Sequence, residues 1–316
     1  MIKKFESAGR FGLIALGLFG LSFTPQSALA GGGEERFASP EAAESALALA
    51  TKTGDTNALR AIFGPESREL ASPDLVQASN AFSNFARRLG EKAVLARQSD
   101  SKIELQIGVD AWPFPIPLVQ DKGQWFFDTA AGREEILNRR IGMNELAAMR
   151  VCRAYVEAQR EYASQPRNGG EVLEYARHLR STTNTHDGLY WHAAPGEELS
   201  PFGPLIAQSH DEGYHHETKI LGDNLAPYRG YCFKILTRQG SQAPAGKYNY
   251  LINGHLLAGF ALVAWPAEWG NSGVMTFIVN QEGKVYEKDL GPKTARLAAA
   301  MTAYDPDGAW KATTGN

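Results

Sequence analysis

Cysteine is scarce: the 316-residue chain holds Cys152 and Cys232 and no others. Two cannot build a multi-bridge scaffold, and neither sits in a C-x-x-C pair that would hold zinc or run redox exchange. Positive charge is not in excess. Lys and Arg number 32 against 35 Asp and Glu, for a formal net charge of −3. That balance gives no electrostatic footprint for nucleic acid or for an anionic membrane. No tandem repeat, low-complexity tract or block of like charge stands out. Catalytic signatures are missing too: there is no G-x-S-x-G elbow, no H-E-x-x-H, no P-loop and no G-x-G-x-x-G in a strand–helix setting. What is present is ordinary globular composition, with 43% hydrophobic and 21% charged residues. Such a chain can bury a core, and its length suits two domains.

The one long apolar run is N-terminal. Lys3, Lys4 and Arg10 precede "FGLIALGLFGLSF", residues 11–23, and "TPQSALA" follows. The run falls short of the roughly 20 residues that span a bilayer. Ala28 and Ala30 then make an A-x-A cleavage site, so residues 1–30 read as a secretory signal, with Gly31 as the first mature residue. Its loss removes three basic groups and Glu6, lowering the charge by a further two. An exported, periplasmic or extracellular protein without stable membrane insertion is expected. Its compartment would permit a disulfide between Cys152 and Cys232.

Downstream the periodicity alternates between helix and strand. Ser39 and Pro40 open a helix with Ala43, Leu47 and Ala50 on one face. "TNALRAIFG" is a second helix. A third, capped by Ser72, carries Leu75, Phe82 and Phe85. "SKIELQIGV" switches to period two and reads as a strand. In "DAWPFPIPLV", Pro113, Pro115 and Pro117 delete donors along one side, as on a protected edge strand. "QWFFD" is the return. A long helical stretch follows, with Leu146, Met149, Cys152, Val156 and Gln159 at three-to-four spacing; Asn144 is placed to cap a new helix after Gly142. Residues 166–229 are turn-rich. From Tyr228 onward, short strands punctuated by Gly and Asn make an antiparallel meander, closed by a helix over "PKTARLAAAMTAY".

"GNSG", residues 270–273, stands one residue type away from the surroundings of a serine-protease nucleophile. A nucleophile needs a base and a group that orients the base, and nothing near Ser272 supplies them. The flanking glycines suit a turn between strands. His210, Asp211, His215 and His216 share a Gly-containing loop and carry no metal-ligand spacing. "SQPRNGGEVLEYA" has a glycine where a calcium loop turns, yet Gln165, Arg167 and Gly169 occupy the ligand positions. No metal and no cofactor is expected. Tryptophans beside turns are the better binding candidates: Asp187, Tyr190 and Trp191 in "DGLYW", and Trp265, Glu268 and Trp269 in "WPAEWG".

"FASPEAA", "DAWPFPIPLV", "WFFDTAAGREEILNRRIGMNELAA", "VCRAYVEAQREYA", "DGLYW" and "GVMTFIVNQEGKVYEKDLGP" together resemble the bacterial family known as domain of unknown function 2950. The likeness spans residues 37–310. It implies an exported bacterial protein and little about activity. Members often carry "DGDG" before "LEYA"; "RNGG" here argues further against calcium. At the level of fold, residues 31–135 are similar to cystatin-like and nuclear-transport-factor-like α+β domains. Residues 136–316 resemble the globular half of type IV pilins, a long helix packed on an antiparallel sheet. Unlike a pilin, this chain separates its N-terminal apolar run from that helix by a whole folded segment. The expectation is an α+β protein of two domains, an exported non-enzymatic module that binds an envelope protein or a small ligand. The alternative is a periplasmic hydrolase or metal-dependent enzyme built on His186, Asp187, His192 and Glu268.

Overall fold

A computed structural model describes residues 33–167, 169–214 and 227–314. The signal reading of residues 1–30 and the pair His215 and His216 fall outside the described residues.

Helix α1 (Pro40–Thr53) begins as its sequence requires. Ser39 Oγ accepts the Ala42 amide at 3.2 Å, and Gly54 closes the helix in the left-handed region. Ala43, Leu47 and Ala50 are buried. Asp55 caps α2 (Thr56–Phe63), and α3 (Ser67–Leu70) is a single turn. Helix α4 (Leu75–Glu91) is capped by Asp74 rather than Ser72: Asp74 Oδ1 accepts the Gln77 amide at 3.1 Å. Ser72 acts one step upstream, accepting the amide of Asp74 itself at 3.2 Å. Of the expected apolar face, Phe85 stacks on Phe114 with centroids 5.1 Å apart, whereas Leu75 is 82% exposed.

Strands β1 (Ala93–Ser99), β2 (Lys102–Ile107), β3 (Trp112–Pro113), β4 (Leu118–Asp121) and β5 (Gln124–Phe127) form an antiparallel sheet. Its order is β1-β2-β4-β5, with β3 beside β2. The alternation of β2 buries Ile103, Leu105 and Ile107 as expected. The proline stretch is held on both sides, so it is not a free edge: the Phe114 amide donates to the Leu105 carbonyl at 2.8 Å on the β2 side, and the Pro117 carbonyl accepts the Asp128 amide at 2.9 Å on the β5 side. Phe37, Leu47, Phe63, Leu118 and Phe127 complete this first core.

Helix α5 (Thr129–Tyr162) is continuous for 34 residues, capped by Asp128. It runs unbroken through positions 135–136 and past Gly142. Asn144 therefore caps nothing; it lies mid-helix, 1% exposed. The stripe that faces the second core is Ala148, Val151, Cys152, Tyr155, Val156, Gln159 and Tyr162. Leu146 points outward at 54% exposure. A buried glutamine is tolerated because its amide is spent: Gln159 Oε1 accepts the Ala176 amide at 2.8 Å and Nε2 donates to the Ala176 carbonyl at 2.9 Å.

Next come a parallel pair, β6 (His178–Arg180) and β7 (Gly188–Tyr190), and helix α6 (Gly203–Asp211). The second sheet begins with β8 (Tyr231–Leu236). After it come the short strands β9 (Arg238–Gln239), β10 (Tyr248–Asn249), β11 (Leu251–Ile252) and β12 (His255–Leu256). The sheet is completed by β13 (Ala261–Pro266), β14 (Met275–Asn280), β15 (Tyr286–Asp289) and β16 (Lys311–Ala312). It is antiparallel, in order β16-β15-β14-β13-β8. Helix α7 (Thr294–Ala300) packs on it as well. The protein is α+β.

The pleat decides the fate of the cysteines. Tyr231, Phe233, Leu262 and Phe277 point to the face that α5 covers, where Cys152 lies close to Tyr231. Cys232 is one residue on, so it points to the opposite face with Lys234, whose ammonium donates to the Ala299 carbonyl of α7. The disulfide is corrected accordingly: Cys152 and Cys232 are buried thiols on opposite sides of the sheet, and no bond joins them. Burial pushes the Cys152 thiol up to about 12 and the Cys232 thiol up to about 11.

Candidate functional site

The first group of candidate residues surrounds β7. Asp187 is held by its own loop. Oδ1 accepts the Thr182 amide at 2.7 Å and the Thr185 hydroxyl at 2.8 Å, and Oδ2 accepts the Thr182 hydroxyl at 2.7 Å. Partial burial opposes ionisation, but these donors outweigh it and hold the carboxyl below its ordinary value of 3.8. Such a group is a structural anion rather than a proton donor poised near neutrality. Trp191 is 7% exposed. His186 stacks on one side of it with centroids 4.2 Å apart, and the Arg167 guanidinium sits 5.3 Å from the same ring centroid. Its indole Nε1 donates to the Glu198 carbonyl at 3.0 Å. Trp191 is thus packed, not open to a ligand. Tyr190 is buried and His192 exposed.

The second group lies at the β13–β14 turn. Trp265 pairs with Cys232 across strands and is buried on the α7 side. Ser272 is fully buried, and its hydroxyl bridges one residue: Oγ accepts the Glu268 amide at 3.0 Å and donates to the Glu268 carbonyl at 3.1 Å. With both functions engaged, it is a turn residue. Gly270, at φ +78°, supplies the reversal. Glu268 is exposed and accepts from Asn271 Nδ2 at 2.8 Å. Trp269 is 38% exposed, with its edge anchored by Nε1 donating to Asp289 Oδ1 at 2.8 Å. The indole is fixed in orientation while part of its surface meets solvent.

The two groups do not converge. His186 lies at the far end of α5, where the Tyr162 hydroxyl donates to its carbonyl at 2.6 Å, whereas the Glu268 turn is held through Asn271 by Arg140, about six turns earlier on the same helix. His186 and Asp187 are therefore not brought to Glu268.

Sequence reasoning missed a third cluster, which joins the first core to the turn that carries Trp269. Asn144 Nδ2 donates to the Ser272 carbonyl at 2.8 Å, and Asn144 Oδ1 accepts from Gln77 of α4 at 2.6 Å. One turn earlier, Arg140 donates to Asn271 Oδ1 at 2.6 Å and to the Leu70 carbonyl. Burial lowers the Arg140 pKa, opposed by the charge of Glu268. Glu145 Oε1 accepts the amides of Val274 and Met275, each at 3.0 Å. Three side chains from two consecutive turns of one helix, positions 140, 144 and 145, thus grip one loop. Beside them, Asp74 Oδ2 accepts the Tyr214 hydroxyl at 2.6 Å, and Glu212 pairs with Arg229. The only sequence signal was a run of polar residues inside a helix that otherwise buries one face.

The family whose model matches this chain is described as "Protein of unknown function (DUF2950)", and the match covers residues 34–313. The chain belongs to it. Neither the comparison with curated proteins nor that with solved structures finds a match. In this DUF2950 member the Arg140–Asn144 cluster, the packed Trp191 and the anchored Trp269 all lie inside the matched span. No helix among the described residues is long and apolar enough to cross a membrane.

Proposed function

We propose that this DUF2950 protein is an exported, non-enzymatic binding or assembly module of the cell envelope, meeting an envelope protein or a small ligand through the β13–β14 turn. The observation that carries the reading is Trp269, an indole locked at its edge by Asp289, exposed to solvent and flanked by Glu268. An aromatic side chain held in one orientation binds without first losing rotamer freedom. Arg140, Asn144 and Glu145 hold the same turn from beneath. The candidate enzyme residues are otherwise engaged: Asp187 ties its loop, His186 packs on Trp191 and Ser272 bridges Glu268. Export rests on the pattern of residues 1–30. The two-domain division at residues 135 and 136, cystatin-like before and pilin-like after, belongs to the same proposal and is supported by a separate apolar cluster in each part.

The test combines location with binding. Fractionated cells should yield the protein outside the cytoplasm with Gly31 at its N-terminus. Photocrosslinking in intact cells, from a probe placed at Asn271, should give a discrete adduct that Trp269→Ala removes without unfolding the protein. Cytoplasmic protein that retains residues 1–23 would refute export. An adduct unchanged by Trp269→Ala would refute the binding surface.

A further inference from the structure

The stretch "RAIFGPESR", residues 60–68, folds into a cradle between α2 and α3. Arg60 lies in the last turn of α2, Gly64 and Pro65 make the bend, and the Ser67 amide donates back to the Gly64 carbonyl at 3.2 Å. Ile62 and Phe63 are buried, and the Ala61 carbonyl accepts the Glu35 amide at 2.8 Å, so the end of α2 is fixed to the first core. Gly64 has φ +68°, and a Cβ there would lie 3.1 Å from Glu34 Cγ and 3.3 Å from the Glu34 amide nitrogen. Glycine leaves that floor bare. The result is an open cavity of about 310 Å³ lined by Arg60, Gly64, Pro65, Ser67 and Arg68.

The charges on this cavity are uncommitted. Elsewhere in the same part of the chain, Arg36, Arg88, Arg133 and Arg139 each hold a carboxylate. Arg60 and Arg68 are exposed and form no salt bridge or side-chain hydrogen bond among the described residues. The nearby acids do not neutralise them. Glu66 and Glu69 turn to Arg133, at 3.9 and 2.9 Å, and Glu34 packs against Gly64 without lining the cavity. The Ser67 hydroxyl is likewise without a partner among the described residues. Two guanidinium groups and a hydroxyl therefore reach one cavity, from α2 on one side and α3 on the other. Like charges on one cavity repel, and an anion between them turns that repulsion into attraction. A planar carboxylate is matched by a single guanidinium fork, whereas a tetrahedral phosphoryl group offers oxygens to donors arriving from several sides.

We propose that the α2–α3 cradle binds a phosphoryl group, with Arg60 and Arg68 as its charged donors and the Ser67 hydroxyl as a third. The group belongs to a soluble phosphorylated ligand or to a lipid headgroup, which present the same chemistry to the cavity. The cradle shares no lining residue with the Trp269 turn and stands whether or not that surface binds a partner.

Inorganic phosphate, titrated at constant ionic strength, should shift the amide resonances of Gly64 and Ser67 in a saturable way. Arg60→Ala and Arg68→Ala should each weaken binding about tenfold or more, the scale of one lost charge-assisted hydrogen bond. Both side chains are exposed, so the unfolding midpoints should stay at the parent value. Arg150→Ala, on the exposed side of α5, should leave phosphate binding unchanged. Phosphatidylglycerol vesicles separate the two sources. Flotation with the vesicles that phosphate competes away assigns the group to a lipid headgroup, and phosphate binding without flotation assigns it to a soluble ligand. Shifts that do not saturate, that acetate reproduces at equal concentration, or that persist when both arginines are replaced by alanine would overturn the proposal.

Discussion

Replacing Asn144 distinguishes the tertiary role of this residue from the helix cap that its local sequence suggests. In the structure it donates to the buried Ser272 carbonyl at 2.8 Å and accepts from Gln77 at 2.6 Å. Asn144→Ala removes two hydrogen bonds at about 1 kcal/mol each and leaves the Ser272 carbonyl without its donor, for about 1 kcal/mol more. Alanine is the better helix former, which returns roughly 0.5 kcal/mol. The net expectation is a loss of about 2–3 kcal/mol. Asn144→Asp is the sharper variant. It keeps the shape but sets a carboxylate oxygen against the Ser272 carbonyl, so acceptor meets acceptor in a buried place. Its cost should match or exceed that of the alanine variant. A helix N-cap behaves in the opposite way, because aspartate is as good there as asparagine. Urea unfolding followed by tryptophan fluorescence and far-ultraviolet circular dichroism measures both variants. An Asn144→Asp protein within about 0.5 kcal/mol of the parent, the range of a surface change, would refute the reasoning.

Ser272→Ala should cost about 1–2 kcal/mol in the same assay, more than a surface turn, because the hydroxyl is fully buried and bridges the Glu268 backbone; a neutral result would mean that the bridge is not formed in solution. Gly230→Ala should destabilise by about 2 kcal/mol or more: φ is +73°, and an added Cβ would lie 2.8 Å from Asn144 Nδ2 and 2.9 Å from Ser272 Cβ. A protein as stable as the parent would show that this contact relaxes freely. Thiol counting on protein expressed in an oxidising compartment and denatured without reductant should find two thiols, and the native protein should resist alkylation, since both groups are buried with raised pKa values; zero thiols would restore the disulfide. Asp187 has a depressed folded pKa, so its contribution is present above the ordinary value of 3.8 and is lost as pH falls through the lower folded value. The stability gap between the parent and Asp187→Asn should therefore be widest near neutrality and close in acid; a gap constant with pH would contradict the hydrogen bonds assigned to the carboxylate.

Local patterns were legible wherever the chain satisfies itself locally. Ser39 and Pro40 start α1, Gly54 stops it, and the alternation of Ile103, Leu105 and Ile107 buries one face of β2. The meander after Tyr228 was also legible, because glycine and asparagine turns mark its corners. Ser272 could be assigned to a turn for the same reason. Strand β1 was missed because it lies at a sheet edge, where its side chains do not alternate cleanly between core and solvent. Tertiary contacts alone decided the rest. Asn144 has the chemistry of a cap, yet partners from α4 and the β13–β14 turn satisfy its amide inside a continuous helix. Cys152 and Cys232 each fit an apolar pattern, but the pleat turns Cys232 to the far face, and no sequence period reveals which strand face a distant helix will cover. Trp191 and Trp269 look alike in sequence; His186 and Arg167 enclose the first, and Asp289 pins only the edge of the second. Which aromatic is packed and which is left facing solvent depends on neighbours that only the folded chain brings together.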